Sequence, residues 1–206
     1  MLNLEFIDNI FRNRKGNLIG KYKKSAVMIL LYEKDGKDHI IYEQRAFTLN
    51  HQPGDICFPG GKMEEGESPK ETAIREVVEE LGVKEEDIEF LGEMDFFISP
   101  YGAIMYPFVA RLHTSDINPN KDEVDHIFMV PLEYFENNPP EVHEININPE
   151  IKDDFPFHMI YGGREYKFAR GKMVQYFYSY DNHNIWGFTA LITKTFCDIV
   201  KSAVNR

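Results

Sequence analysis

Glu76, Glu79 and Glu80 stand three and four residues apart, a spacing that makes their carboxylates neighbours on one side of a helix. Like charges this close repel, so an acidic triplet alone reads as a solvated face with Arg75 as its local partner. The loop that precedes it points further. Phe58-Pro59-Gly60-Gly61 is rich in glycine and can bring backbone carbonyls to the same place. Oxygen-only ligands suit Mg²⁺, Mn²⁺ or Ca²⁺. Mg²⁺ retains water and binds substrate phosphates, so an open carboxylate site fits it best. Lys62, beside that loop, could touch a phosphate or could be solvated. Arg45 follows an apolar strand and precedes the loop, where either a phosphate or a structural ion pair suits it.

The element that must carry these acids is well specified. Ser68 can cap a helix, Pro69 suits its first position, and Glu71 completes a capping box. Gly82 can end it in a left-handed turn, so a helix is predicted over 69–81. Ala73, Ile74, Val77, Val78 and Leu81 form the stripe expected to face a core, with Arg75, Glu76, Glu79 and Glu80 opposite.

Around it, helical spacing predicts a leading helix over about 2–12. Strands are expected at 25–32 and 39–44 around an Asp35-Gly36 turn, then at 88–98, 104–112 and 124–130. Residues 46–61 read as loop, and Pro131 opens a short helix. The polar stretch 137–156 reads as an exposed insertion. Strands at 157–161, 165–168 and 174–180 and a final helix at 187–203 complete the reading, with Gly163-Arg164 as a turn. Strands and helices alternate without a regular βαβ repeat, which predicts an α+β fold in a single domain, 1–206.

Composition sets the setting. The chain has 206 residues, 43% hydrophobic and 28% charged, with no run long enough to span a membrane. The first ten residues carry Glu5 and Asp8 and lack the basic start of a signal peptide. Cys57 and Cys197 make neither a disulfide framework nor a metal-site spacing, and both are expected as buried reduced thiols in a cytoplasmic protein. Net charge is −11, from 23 basic and 34 acidic residues, which argues against non-specific nucleic-acid binding. An acidic protein acting on an anionic substrate must neutralise it locally, and a carboxylate-held divalent cation does that.

The run from Gly61 to Val83 resembles the Nudix box at nine constrained positions: Gly61, Glu67, Arg75, Glu76, Val77, Glu79, Glu80, Gly82 and Val83. The resemblance implies the Nudix fold, a mixed β-sheet sandwiched between helices with a loop–helix–loop metal site. It implies hydrolysis of a nucleoside diphosphate linkage with Mg²⁺ or Mn²⁺. Carried over by position, Glu76, Glu79, Glu80 and the Gly61 carbonyl are the metal ligands, and Glu67 reaches a second metal in some members. Glu67 and Arg75 brace the loop against the helix. The expected catalytic residues are Glu79, Glu80, Arg75 and, as a later acid that could serve as base, Glu123; its other reading is an ordinary surface acid.

The flanks resemble the coenzyme A diphosphatase branch. Arg45, Gly54, Ile56, Phe58, Pro59, Gly60 and Gly61 fit that branch's signature, with Glu64 and Glu67 in its acidic positions. Ala46 replaces Ser, Asn50 replaces Arg and Gln52 replaces His, while His51 sits one residue early. Further likeness comes from Ser99-Pro100-Tyr101-Gly102 and from Ile185-Trp186-Gly187-Phe188 at the last helix. Phe96, Phe97, Tyr101 and Tyr106 could stack on an adenine, wall a pantetheine groove or simply pack. The expected partner is a small nucleotide, with no nucleic acid and no membrane, and a homodimer is left open. Three other readings stand beside coenzyme A: ADP-ribose or another nucleotide derivative, an RNA 5′ end, and a non-catalytic ligand sensor.

Overall fold

The computed structural model describes residues 3–204. The chain opens with α1 (Leu4–Arg12), capped by Asn3, whose side chain accepts from the Phe6 N–H. Leu2, expected in this helix, lies outside the described residues. No α1 residue is buried, so Leu4, Phe6, Ile7, Ile10 and Phe11 present an apolar stripe to solvent.

The next elements are β1 (Lys23–Lys34), β2 (Lys37–Arg45), β3 (Ile56–Cys57), β4 (Gly60–Lys62) and α2 (Pro69–Leu81). They are followed by β5 (Ile88–Glu93), β6 (Phe97–Ile98), β7 (Ala103–Leu112), β8 (Val124–Pro131) and α3 (Leu132–Asn137). The last are β9 (Glu141–Ile147), β10 (Gly171–Tyr180), β11 (His183–Trp186) and α4 (Gly187–Val204).

An eight-stranded mixed sheet follows the path β3-β2-β1-β7-β5, with β4 also on β1, β6 on β7 and β8 on β2. Its parallel pair is β1 with β7, from Lys23↔Ala103 to Leu31↔Arg111. A three-stranded antiparallel sheet, β11-β10-β9, stands apart from it.

The central strand explains the layers. β1 alternates with period two and is buried on both faces. Ala26, Met28 and Leu30 pack with Ala73, Val77 and Leu81 of α2. Val27 and Ile29 face the other way, into a cluster with Phe135, Tyr178, Ile185, Ala190, Ile192 and Phe196. The sheet therefore lies between α2 on one side and α3, α4 and the small sheet on the other, an α+β arrangement with the sandwich expected. Each fully buried aliphatic side chain here contributes roughly 1.5–3 kcal/mol relative to exposure.

Several sequence expectations need correction. The 46–61 loop contains β3 and β4, because two-residue and three-residue strands carry too little pattern to be read locally. The 88–98 strand is split into β5 and β6, with a bulge opposite β7 between Phe90 and Gly92. The polar insertion holds a strand, β9, all of whose residues are exposed. It forms because β10 offers a backbone ladder from Gly171↔Ile147 to Phe177↔Glu141, a partner remote in sequence. Residues 157–161 and 165–168 are not strands. They hold 3₁₀ turns at Phe157–Met159 and Gly163–Glu165, and Phe155 packs its ring on Phe157 and Phe168. Their apolar run serves that local aromatic cluster rather than a ladder.

Candidate active site

α2 begins as its sequence dictates. The Ser68 side chain accepts from the Glu71 N–H over 3.3 Å, and the Glu71 carboxylate accepts from the Ser68 N–H over 2.8 Å. The helix ends at Gly82 in the left-handed conformation. Its buried residues are Thr72, Ala73, Val77, Glu80 and Leu81, while Ile74 and Val78 are half-buried. Glu80 is thus covered although its spacing places it opposite the core stripe. It is only 3% exposed, and its Oε2 accepts from the Gly60 N–H over 2.7 Å.

The loop lies tight against the helix. A side chain at Gly60 would strike the Ala26 carbonyl, and one at Gly61 would strike the Glu76 carboxylate. These positions must be glycine for the loop to approach both β1 and the acid. Arg75 draws the remaining groups together. Its Nε donates to Glu67 Oε1 over 2.6 Å and its Nη1 reaches Glu76 at 3.0 Å and Glu79 at 2.9 Å. Its Nη2 donates to the Lys62 carbonyl over 3.4 Å. Glu67 also accepts from the Thr72 hydroxyl over 2.7 Å and from the Glu64 N–H over 2.9 Å. Its hydrogen bond from Arg75, reinforced by Glu64 N–H and Thr72, holds its carboxyl down to about 2.

Glu79 is the exposed member of the triplet, 55% accessible, and Glu76 is largely covered. Lys62 is exposed on β4. Glu123 is an exposed acid just before β8, and its carbonyl accepts from the Ala46 N–H over 2.8 Å. Its charge bears on Glu43, Glu76 and Glu80, so it stands at the edge of the same cluster. Arg45 is half-buried, and its Nε is a covered donor without a hydrogen-bond partner. No salt bridge to Arg45 occurs among the described residues.

One acid was not singled out from the sequence. Glu43, on β2, is completely buried, with Oε1 accepting from Cys57 Sγ over 3.2 Å and Oε2 unpartnered. The signal was available, since period-two alternation places it on the same inward face as Ile41. Cys57 and Cys197 are both free but half-buried rather than fully buried. Burial pushes the Cys57 thiol well up, and the Glu43 charge adds to this.

Electrostatics follow burial. Glu80 is pushed up to about 9, first by burial and then by the charge of Glu43, against the Gly60 N–H. Burial pushes Glu43 up to about 7, opposed by the Cys57 hydrogen bond and Arg45. Glu76 is raised by burial, with Arg75 opposing. Carboxyls held this far above their ordinary range call for a proton or a cation.

Among the described residues, no three His, Cys, Asp or Glu side chains are already gathered around a common point. Glu76 and Glu79 are instead paired with Arg75. The donor set nevertheless fits a hard divalent cation. Carboxylates and a glycine-loop carbonyl supply oxygen alone, Glu80 is buried without a cationic partner, and Gly61 leaves the room beside Glu76 that a side chain would fill.

Next to this cluster lies a cavity of ≈ 400 Å³ lined by Arg45, Cys57, Tyr101, Gln175, Trp186 and Phe188, among others. Gln52 also lines it, with a positive φ of 52°, whereas Asn50 is exposed and Ala46 is buried. Phe97 packs on Phe188, and Phe96 packs on Tyr106, so of the four aromatics singled out only Tyr101 is in the lining. Met173 and Gln175 of β10 and Ile145 of β9 enter the wall from strands remote in sequence from the acids, so no local pattern places them there. Elsewhere, His126 Nε2 and His183 Nε2 stand 2.9 Å apart, a pairing across 57 positions that spacing could not disclose. Among the described residues no helix is long and apolar enough to cross a membrane.

A family model described as the NUDIX domain matches residues 22–155. Peroxisomal coenzyme A diphosphatase NUDT7 of Mus musculus is 33% identical over 131 residues, covering 60% of this chain and 56% of that protein. Peroxisomal coenzyme A diphosphatase ndx-8 of Caenorhabditis elegans is 38% identical over 117 residues, 54% of this chain and 50% of that one. Mitochondrial coenzyme A diphosphatase NUDT8 of Homo sapiens is 27% identical over 178 residues, 82% of this chain and 66% of that one. The matches to the first two span about half of those relatives' length.

Proposed function

The chain belongs to the Nudix family, and from that premise we propose that it is a divalent-metal-dependent diphosphatase whose substrate is coenzyme A or a close derivative. The observation that carries this reading is the Gly60-Gly61 loop held against the Glu76 and Glu80 carboxylates, two residues along the chain from Phe58 in the wall of the Arg45-lined cavity.

Glu76, Glu79, Glu80 and the Gly61 carbonyl would hold Mg²⁺ or Mn²⁺, with Glu67 behind them. Held there, such a cation would supply charge neutralisation for the non-bridging diphosphate oxygens and acidification of water. The chain's own residues do the rest. Arg75 holds Glu67 against the helix and keeps the loop and α2 in register. Arg45, in the cavity lining, offers its guanidinium charge to a phosphate oxygen, and Lys62 adds an exposed charge at the loop. Water attacks one phosphorus and the bridging P–O bond breaks. The proton of that water passes to a solvent-accessible acid, Glu79 or Glu123. From coenzyme A the products are 3′,5′-ADP and 4′-phosphopantetheine.

The coenzyme A assignment draws on the names of the relatives and on the wall of the cavity, where Trp186, Phe188, Met105 and Ile145 suit an aliphatic arm. ADP-ribose is the competing substrate. It is favoured by the buried Ala46 and the strained Gln52, which replace polar groups of the branch signature. A product-resolved assay with Mg²⁺ or Mn²⁺ decides between them. Coenzyme A, ADP-ribose, NADH and a diadenosine polyphosphate are run in parallel. Preference for coenzyme A is expected. Preference for another diphosphate overturns the substrate, and absence of cleavage with either metal favours a ligand sensor. With the substrate goes a reducing compartment, consistent with two free thiols, and the cytoplasm remains our proposal.

A further inference from the structure

We propose that Glu43 is a cation-holding residue of this site, a carboxylate supplied by the sheet rather than by the helix. The inference rests on the diphosphatase reading above. Glu43 lies on β2, two residues after Ile41, and Ile41 packs among Ala73, Val77 and Leu81 of α2. Alternation therefore carries Glu43 to the end of the same apolar layer, beneath the helix that bears Glu80. Glu43 pairs with Cys57 of β3, and three residues further on the Gly60 N–H donates to Glu80, so strand, loop and helix bring the two buried carboxylates to one region, where the charge of Glu43 raises Glu80.

The bonding of Glu43 is incomplete. Oε1 has the Cys57 thiol, and Oε2 is buried with nothing to accept from. Buried acceptors are nearly always satisfied, so an orphan carboxylate oxygen asks for a missing donor or cation. Arg75 is committed to Glu67, Glu76 and Glu79, and Arg45 is bonded to none of the acids. A divalent cation reached by Glu43 and Glu80 together meets both needs. It fills the vacant coordination of Oε2 and compensates the Glu80 charge that the helix has turned inward. Helix positions 76, 79 and 80 alone provide acids from one side, and Glu43 encloses the cation from the other.

The experiment is Mn²⁺ binding, read by electron paramagnetic resonance of the free ion and by thermal melting, on the whole chain and on Glu43→Gln and Glu76→Gln. Glu43→Gln keeps the shape and removes the charge. It is expected to weaken Mn²⁺ binding roughly tenfold or more and to shrink the rise in Tm that Mn²⁺ gives the unaltered chain. Unchanged affinity in Glu43→Gln with loss in Glu76→Gln overturns the role of Glu43 and leaves the diphosphatase reading standing. Failure of the unaltered chain to bind Mn²⁺ overturns both. Anomalous diffraction from Mn²⁺-soaked crystals of the unaltered chain decides independently of any variant's folding. A manganese bonded to a Glu43 oxygen supports the proposal, and one held by the α2 acids with Glu43 out of reach overturns it.

Discussion

Arg75 and Glu67 are joined by two hydrogen bonds, Nε to Oε1 at 2.6 Å and Nη2 to Oε2 at 3.2 Å, so the loop before α2 is fastened to the middle of the helix. The geometry is the planar fork that arginine has and lysine lacks.

Arg75→Lys should therefore lose the fork while keeping the charge. We expect about tenfold lower kcat, because misplacing the loop by a fraction of an ångström misplaces the Gly61 carbonyl. The loss in stability should be only about 1 kcal/mol, since both partners touch solvent. Urea unfolding of Arg75→Lys, Glu67→Gln and the double variant measures the coupling. Additive losses would show that the pair does not act as a unit.

Glu80→Gln separates catalysis from stability. Activity should fall by on the order of 10²–10³-fold, the scale of losing one group that stabilises transition-state charge. The metal-free variant should melt no lower than the unaltered chain near neutral pH, because the amide is neutral in both states whereas Glu80 must take up a proton to be buried. A variant that keeps its activity would remove Glu80 from the metal site.

The same residue sets a pH dependence. Its folded carboxyl lies at about 9, above the ordinary 4.5. The folded state thus binds the proton more tightly than the unfolded one. That contribution is complete below about pH 4.5 and is lost as pH rises toward about 9. Metal-free Tm should decline across this window, and Mg²⁺ or Mn²⁺ should restore more stability at its upper end, where protons no longer compete. Glu80→Gln should flatten the decline, as melting curves at a series of pH values with and without EDTA would record.

Gly61→Ala tests the close approach of the loop. The added methyl meets the Glu76 carboxylate, which must swing aside. Mn²⁺ affinity should drop roughly tenfold, with a stability loss of about 1–3 kcal/mol from the overpacked contact. Wild-type affinity in this variant would place the cation away from Glu76.

Arg45→Ala should raise KM with a smaller change in kcat, as expected for a ground-state phosphate contact. One charge-assisted hydrogen bond of about 1.5 kcal/mol corresponds to roughly tenfold. Steady-state kinetics check it, and an unchanged KM would leave Arg45 as a structural residue.

By itself the sequence determined the helix that carries the acids, since its capping box, Pro69 and Gly82 are local and sit in the structure where they were read. It also determined that residues 25–32 form a strand, while the central place of β1, buried on both faces, came from packing. Family membership was legible for the same reason, being written in one unbroken segment around α2. The tertiary structure decided what depends on remote partners. β9 exists because β10 lies beside it, and the wall of the cavity is assembled from β9, β10 and the start of α4. Glu80 was placed opposite the core stripe but is turned inward onto Gly60, and the charge of Glu43 bears on it from a strand far away in sequence. Helical periodicity assigns a residue to a face, but the depth to which that face is covered depends on neighbouring elements. Whether a carboxylate there meets water, an arginine or another acid is settled only when the sheet and the loop close over it, and at this site that sets the charge the acids carry.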